Sequence, residues 1–177
     1  ISSHAAAQTY PMKPLRVLVP FASGSGADSN TRFYSELLGK RWGQSIVVDN
    51  RPGGSGIVAA VTVKNAAADG YTLLAATTST TSVNPVVMKD LPYDPIKDFR
   101  PVVFFNLAPT VFLVRSTSPN KTIKDLVEST KKSGVPLAMG NYSAGYELIT
   151  AWLSQATGMP ITPVPYKGAA AVITDVA

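Results

Sequence analysis

The stretch Val17-Leu-Val-Pro-Phe-Ala-Ser-Gly-Ser-Gly-Ala-Asp28 runs from an unbroken apolar segment through a Gly/Ser loop to a residue suited to a helix start. A continuous apolar run predicts a parallel strand covered on both faces rather than a half-exposed strand that alternates. Asp28 or Ser29 should open the first helix, which should end near Lys40 and bury Phe33, Tyr34, Leu37 and Leu38 at three- and four-residue spacing. The unit repeats further along the chain. Ile46-Val-Val48 and Thr72-Leu-Leu-Ala-Ala76 are two more apolar runs. A helix with Ile57, Ala60 and Val61 inward should follow the Gly53-Gly-Ser-Gly56 turn, and Asp69-Gly70 turns into the third strand. Strand and helix in alternation define an α/β class with a parallel sheet.

Beyond Asn84 the prolines at 85, 92, 95 and 101 predict a loop-rich passage to Arg100. Val102–Phe105 and Val111–Val114 read as strands, and a crossing between two lobes is placed near Asn106–Thr110. Thr122 and Asp125 stand at capping-box spacing, with Ile123, Leu126 and Val127 inward and Lys124, Glu128 and Lys132 in solvent. A strand over Pro136–Gly140 follows, then a helix over Gly145–Thr157 with a stripe of Ile149, Trp152, Leu153 and Ala156. A strand over Thr162–Pro165 leads to a last helix that opens at Gly168. Its pattern reaches Ala177 with no cap, so the second lobe reads as incomplete and the chain as an N-terminal portion of something longer. The expected division is 1–9 as an export-signal remnant or lead-in, 10–105 as lobe one and 106–177 as an incomplete lobe two.

Composition narrows the function. The chain has 177 residues, is 45% hydrophobic and 15% charged, and no run approaches the roughly 20 apolar residues of a membrane helix. A net charge of +5 comes from dispersed basic residues without interleaved aromatics, which speaks against nucleic acid and for small anions. Cysteine is absent, and the single histidine, His4, lies in the lead-in, so Cys-His and Ser-His-Asp chemistry has no inventory. No phosphate-binding fingerprint and no metal site or cofactor site is legible.

Ligands of open parallel sheets bind beyond the carboxyl ends of strands. Four segments occupy such positions, namely Pro20–Asp28, Thr77–Asn84, Asn141–Tyr146 and Pro165–Gly168. They are rich in Gly, Ser and Thr, so backbone amides and hydroxyls can approach an anion closely. Asp28 and Glu147, each in a first helical turn, are more economically read as favouring the helix terminus than as general bases. Arg51 precedes a proline and is expected to pin its loop or pair with Asp49 rather than bind ligand, and Lys167 is likewise expected to be secondary.

Five motifs in order carry a resemblance to a known family. They are Tyr10-Pro-Met-Lys-Pro-Leu-Arg-Val-Leu-Val-Pro-Phe-Ala-Ser-Gly24, Val48-Asp-Asn-Arg-Pro-Gly-Gly-Ser-Gly56, Asp69-Gly-Tyr-Thr-Leu-Leu74, Leu91-Pro-Tyr-Asp-Pro-Ile-Lys-Asp-Phe99 and Val164-Pro-Tyr-Lys-Gly168. Together they resemble the Bug family, the TctC-like extracytoplasmic receptors of tripartite tricarboxylate transporters. The resemblance implies a two-lobed, type II periplasmic-binding-protein fold, exported to the periplasm, that closes on a small mono- or dicarboxylate and delivers it to membrane permease subunits. It implies a binding protein rather than an enzyme; the alternative is a hydrolase-like α/β enzyme acting on small acids, with its catalytic residues further along the chain. A basic nucleic-acid-binding module is the weaker rival. The ligand-binding residues expected are Phe21, Ala22, Ser23, Gly24, Ser25, Gly26, Thr78, Ser79, Asn141, Tyr142, Ser143, Ala144, Gly145, Tyr146 and Tyr166. Two departures from the family pattern stand out. Ser25 replaces a second consecutive glycine, and Tyr142-Ser-Ala-Gly-Tyr-Glu147 replaces a Gly/Ser run ending in histidine.

Overall fold

The computed structural model describes residues 10–177, so the expected lead-in and His4 lie outside the described residues. Strand β1 (Leu15–Val19) sits in the middle of a parallel three-stranded sheet ordered β2-β1-β3, with β2 at Ile46–Asn50 and β3 at Thr72–Leu74. Leu15 pairs with Ile46 and Val17 with both Val48 and Leu73. Central position explains the unbroken apolar run. Val17 and Val19 pack with Ala75 and with Ala27, Ile46, Val48 and Leu73, while the intervening Leu18 is also fully buried. Helix α1 (Gly26–Trp42) lies on β1 and β2, and α2 (Ile57–Lys64) on β1 and β3.

A second parallel sheet pairs β4 (Leu137–Asn141) with β5 (Ile161–Pro165), from Leu137 opposite Ile161 to Asn141 opposite Pro165. Around it stand α4 (Ile123–Ser133), α5 (Ala144–Thr157) and α6 (Ala169–Val176). The capping box of α4 is present as expected: the Thr122 hydroxyl accepts from the Asp125 amide, and the Asp125 carboxylate accepts from the Thr122 amide at 2.9 Å.

Several expectations need correction. Helix α1 begins at Gly26 with Ser25 as its N-cap, so Asp28 is the third helical residue and not the cap. Its buried positions are Asp28, Thr31 and Ser35, whereas Phe33 is 59% exposed. Small side chains let α1 approach the sheet, and the larger ones turn aside, Phe33 edge-on to Tyr34 and Tyr34 against Phe105. Trp152, expected in a buried stripe, is 69% exposed. Val102–Phe105 and Val111–Val114 pair with no strand among the described residues and remain exposed, because an extended segment becomes a strand only when a neighbour completes its ladder. The passage after β3 is more ordered than the proline pattern suggests. A π-helical turn, Ser79–Val83, runs directly into α3 (Asn84–Val87). No described helix is long and apolar enough to cross a membrane.

Candidate functional site

The carboxyl ends of both sheets meet. Phe21, just after β1, stands edge-on to Tyr142, just after β4, with ring centroids 5.8 Å apart. The Ser79 and Ser143 hydroxyls are hydrogen-bonded at 3.2 Å, and both residues are buried. A side chain at Gly145 would meet Ser79 Oγ at 2.8 Å, and one at Gly168 would meet Ala22 at 3.1 Å, so both glycines allow close approach. Three of the four expected loops thus converge directly, with Gly168 bringing in the fourth.

Within the first loop, the donors are divided between internal and free. The Ser23 hydroxyl and the Gly24 amide both donate to Asp28 Oδ2, at 3.3 and 2.9 Å. Asn50 Nδ2 adds a bond to Asp28 Oδ1 and another to the Phe21 carbonyl, both at 2.9 Å, and Arg32 closes the set on the same carboxylate. The Ser25 hydroxyl accepts from the Asp28 amide, so the serine that departs from the family glycine caps α1. Asp28 therefore occupies donors expected to meet a ligand. The amides of Gly26 and Ala27, at the start of α1, have no acceptor among the described residues. The same holds for the amides of Gly145 and Tyr146 at the start of α5. Each of these helix starts carries the positive end of its helix dipole.

Of the remaining expected residues, Thr78 is exposed at the start of the helical turn and Asn141 is buried at the end of β4. The Asn141 carbonyl accepts from the Tyr166 amide at 2.7 Å, and the Tyr166 hydroxyl donates to Asp175, which directs that ring's polar end toward α6. Tyr142 donates to the Tyr146 hydroxyl at 3.2 Å, their rings 4.8 Å apart. Burial, then the bond to Tyr146, hold the Tyr142 phenol above its ordinary value, and it stays protonated. Among the described residues, no group of three or more His, Cys, Asp or Glu could hold a metal ion. A concavity of about 550 Å³ lies between α1 and β2 around the Glu36–Lys40 ion pair and collects none of the loops at the strand ends.

Ser55 and Tyr93 lie outside the expected segments, while Thr80 and Asn84 fall within Thr77–Asn84 without being named as ligand-binding residues. The Ser55 hydroxyl accepts from the Ala144 amide at 3.0 Å, 89 residues away. Asn84, wholly buried, donates to the Ser55 carbonyl and to the Tyr93 hydroxyl, which in turn donates to the Thr80 carbonyl at 2.7 Å. One signal for Ser55 is in the sequence: it lies beyond the carboxyl end of β2, the same kind of position as the four expected loops.

Arg51 pairs with Asp49 through Nε at 3.1 Å, as expected, and half of its side chain is in solvent. Arg51→Gln should leave ligand affinity within about twofold and change stability by less than about 1 kcal/mol, because exposed ion pairs contribute little. Calorimetric titration beside a melting curve checks this, and lost binding at unchanged stability would return Arg51 to the site.

Two parallel sheets joined at their carboxyl ends over unengaged helix-start amides define the architecture of a periplasmic binding protein. The family model for the tripartite tricarboxylate transporter family receptor, TctC, matches residues 31–177, and the chain belongs to that family. It is 37% identical over 172 residues to a UPF0065 protein of Bordetella bronchiseptica, covering 97% of this chain and 51% of the relative. It is 30% identical to protein BugT of Bordetella pertussis, covering 99% and 55%. Among solved structures, R. palustris Rpa4515 with adipate aligns with a TM-score of 0.90 at 34% identity, covering 95% of this chain and 57% of that one. MatC from Rhodopseudomonas palustris with bound malate aligns at 0.84 and 28% identity, covering 94% and 57%. The chain spans about half the length of the curated relatives it matches.

Proposed function

We propose that this chain supplies the anion-capturing cleft of a periplasmic receptor, which binds a small organic mono- or dicarboxylate and presents it to the permease subunits of a tripartite tricarboxylate-type transporter. Residues 10–105 form lobe one and 106–177 contribute to lobe two, and the ligand sits between them without being chemically changed. The observation that carries this reading is that the loops leading into α1 and α5 meet at Phe21 and Tyr142, while amides in the first turn of each helix have no acceptor among the described residues. Such donors can hold a carboxylate through directed hydrogen bonds, directly or through water. They have no nucleophile and base poised to act on it. The adipate and malate of the structural neighbours belong to the same chemical class.

The test is thermal unfolding of the natural-length protein with adipate, malate and a panel of other organic acids, coupled to chromatography of each acid after incubation. A bound acid at a hundred times its dissociation constant should add about 2.7 kcal/mol of stability and be recovered intact. Consumption of the acid would establish an enzyme instead. No shift with any carboxylate would remove the proposed ligand class.

A further inference from the structure

Ser55 is the only described residue other than glycine with positive φ, at φ 53° and ψ 35°. A serine held in the left-handed region costs energy that its surroundings must offset, and such residues concentrate at functional positions. What holds it is visible. Its carbonyl accepts from buried Asn84, Asn84 is tied to Tyr93, and Tyr93 to the Thr80 carbonyl inside the π-helical turn. The next residue, Gly56, is wedged against Thr80 and Pro20. The hydroxyl so presented meets the first amide of α5, which has no acceptor within its own helix. The residue that should cap α5, Ser143, makes no side-chain cap and bonds Ser79 instead. Two serines of the first sheet unit therefore take over the N-terminus of a helix in the second.

We propose that Ser55 is a positioning residue of the cleft: its hydroxyl docks the start of α5, and with it the second sheet unit, onto the first before any ligand arrives. The proposal rests on the reading of the chain as a two-lobed receptor but concerns the unliganded protein. Docking raises the fraction of molecules whose two helix starts already face each other, and apparent affinity scales with that fraction. Ser79 assists through Ser143, while Asn84 and Tyr93 hold Ser55 in place.

The test uses the natural-length protein without ligand, in wild-type form and as Ser55→Gly and Ser55→Ala. Glycine removes the hydroxyl and relieves the left-handed strain, whereas alanine removes the hydroxyl alone. Hydrogen exchange at the Ala144 amide reports the bond, since that amide has no helical acceptor. Spin labels at exposed Arg41 and Gln155 report the separation of the two units. In Ser55→Gly the Ala144 amide should exchange about tenfold faster, and the label distance should shift toward a longer population, with a melting temperature equal to or above wild type. In Ser55→Ala the same two changes should appear with a lower melting temperature. Unchanged Ala144 exchange in both variants would overturn the proposal. Faster exchange with an unchanged distance would also overturn it, by reducing Ser55 to a cap. Because no ligand enters the measurement, a failed search for a carboxylate would leave this result intact, and the converse holds equally.

Discussion

Gly56→Ala should destabilise the fold by about 3 kcal/mol or more, the sum of two independent effects. The first is conformational: Gly56 has φ +94°, where an L side chain costs about 1–2 kcal/mol. The second is steric. An added Cβ would lie 2.5 Å from Thr80 Cγ2 and 2.9 Å from Pro20 Cβ. Neither neighbour can easily move. Pro20 follows directly on the buried end of β1, and the Thr80 hydroxyl is bonded to both the amide and the carbonyl of Thr77 at 2.9 Å. In urea the unfolding midpoint should fall sharply while the slope stays constant, the signature of lost stability without a change in the surface exposed. Gly134→Ala is the matched control. It also has positive φ, but an added Cβ there meets nothing within 4 Å, so only the conformational cost remains. Equal midpoints for the two variants would show that the contact among Gly56, Thr80 and Pro20 is not tight.

The same three-way contact shows which parts of the molecule the sequence makes legible. The apolar runs of β1, β2 and β3 are legible from residue type, and all three pair in parallel as expected, although β1 alone is largely buried and β2 and β3 stay partly exposed. The cap of α4 is equally legible, because Thr122 and Asp125 satisfy each other within one turn. Where elements choose faces by tertiary contact, the reading fails. Thr31 and Ser35 of α1 face the sheet because it lies close, although Phe33 and Leu37 carry the stronger apolar signal. The helical turn Ser79–Val83 has no apolar period, and its Ser and Thr residues favour turns. It is held by the Tyr93 bond to the Thr80 carbonyl and by contact with α5, partners at positions that local propensity does not register.

At the candidate site the outcome divides in the same way. Strand ends and glycine content were enough to single out loops that the fold does bring together, at Phe21 with Tyr142 and Ser79 with Ser143. Which donors remain available was not legible. The Ser23 hydroxyl and Gly24 amide look free in sequence but bond to Asp28, a carboxylate four or five residues along the same segment. Ser55 reads in sequence as part of a turn, since nothing in the residues themselves reveals that Asn84 and Tyr93 fix it in a left-handed conformation.

Asp28 supplies the second large effect, and it is a dependence on pH. Although 2% exposed, its carboxyl is held at about 2, below its ordinary 3.8. Burial pushes it up, but the hydrogen bond from Arg32, the Gly24 amide, Asn50 and the Arg32 charge together outweigh burial. The folded protein therefore binds this proton less readily than the unfolded chain does. The stabilisation is complete above about pH 4 and is lost as pH falls through about 2; the interval corresponds to about 2 kcal/mol. Asp28→Asn should remove that acid-sensitive component and lower stability at neutral pH by about 2–3 kcal/mol, since it breaks a buried pair whose cationic partner is half exposed and regains water. Urea midpoints for both proteins between pH 7 and pH 2 make the comparison. The gap between the curves should be widest at pH 7 and close toward pH 2. The other aspartates with lowered values, at 49, 69, 94, 98 and 125, remain in both proteins and contribute equally to both curves. A gap that stays constant down to pH 2 would mean that Asp28 acts through shape alone. A closing gap would identify its charge, rather than its shape, as what the Ser23, Gly24, Asn50 and Arg32 donors stabilise.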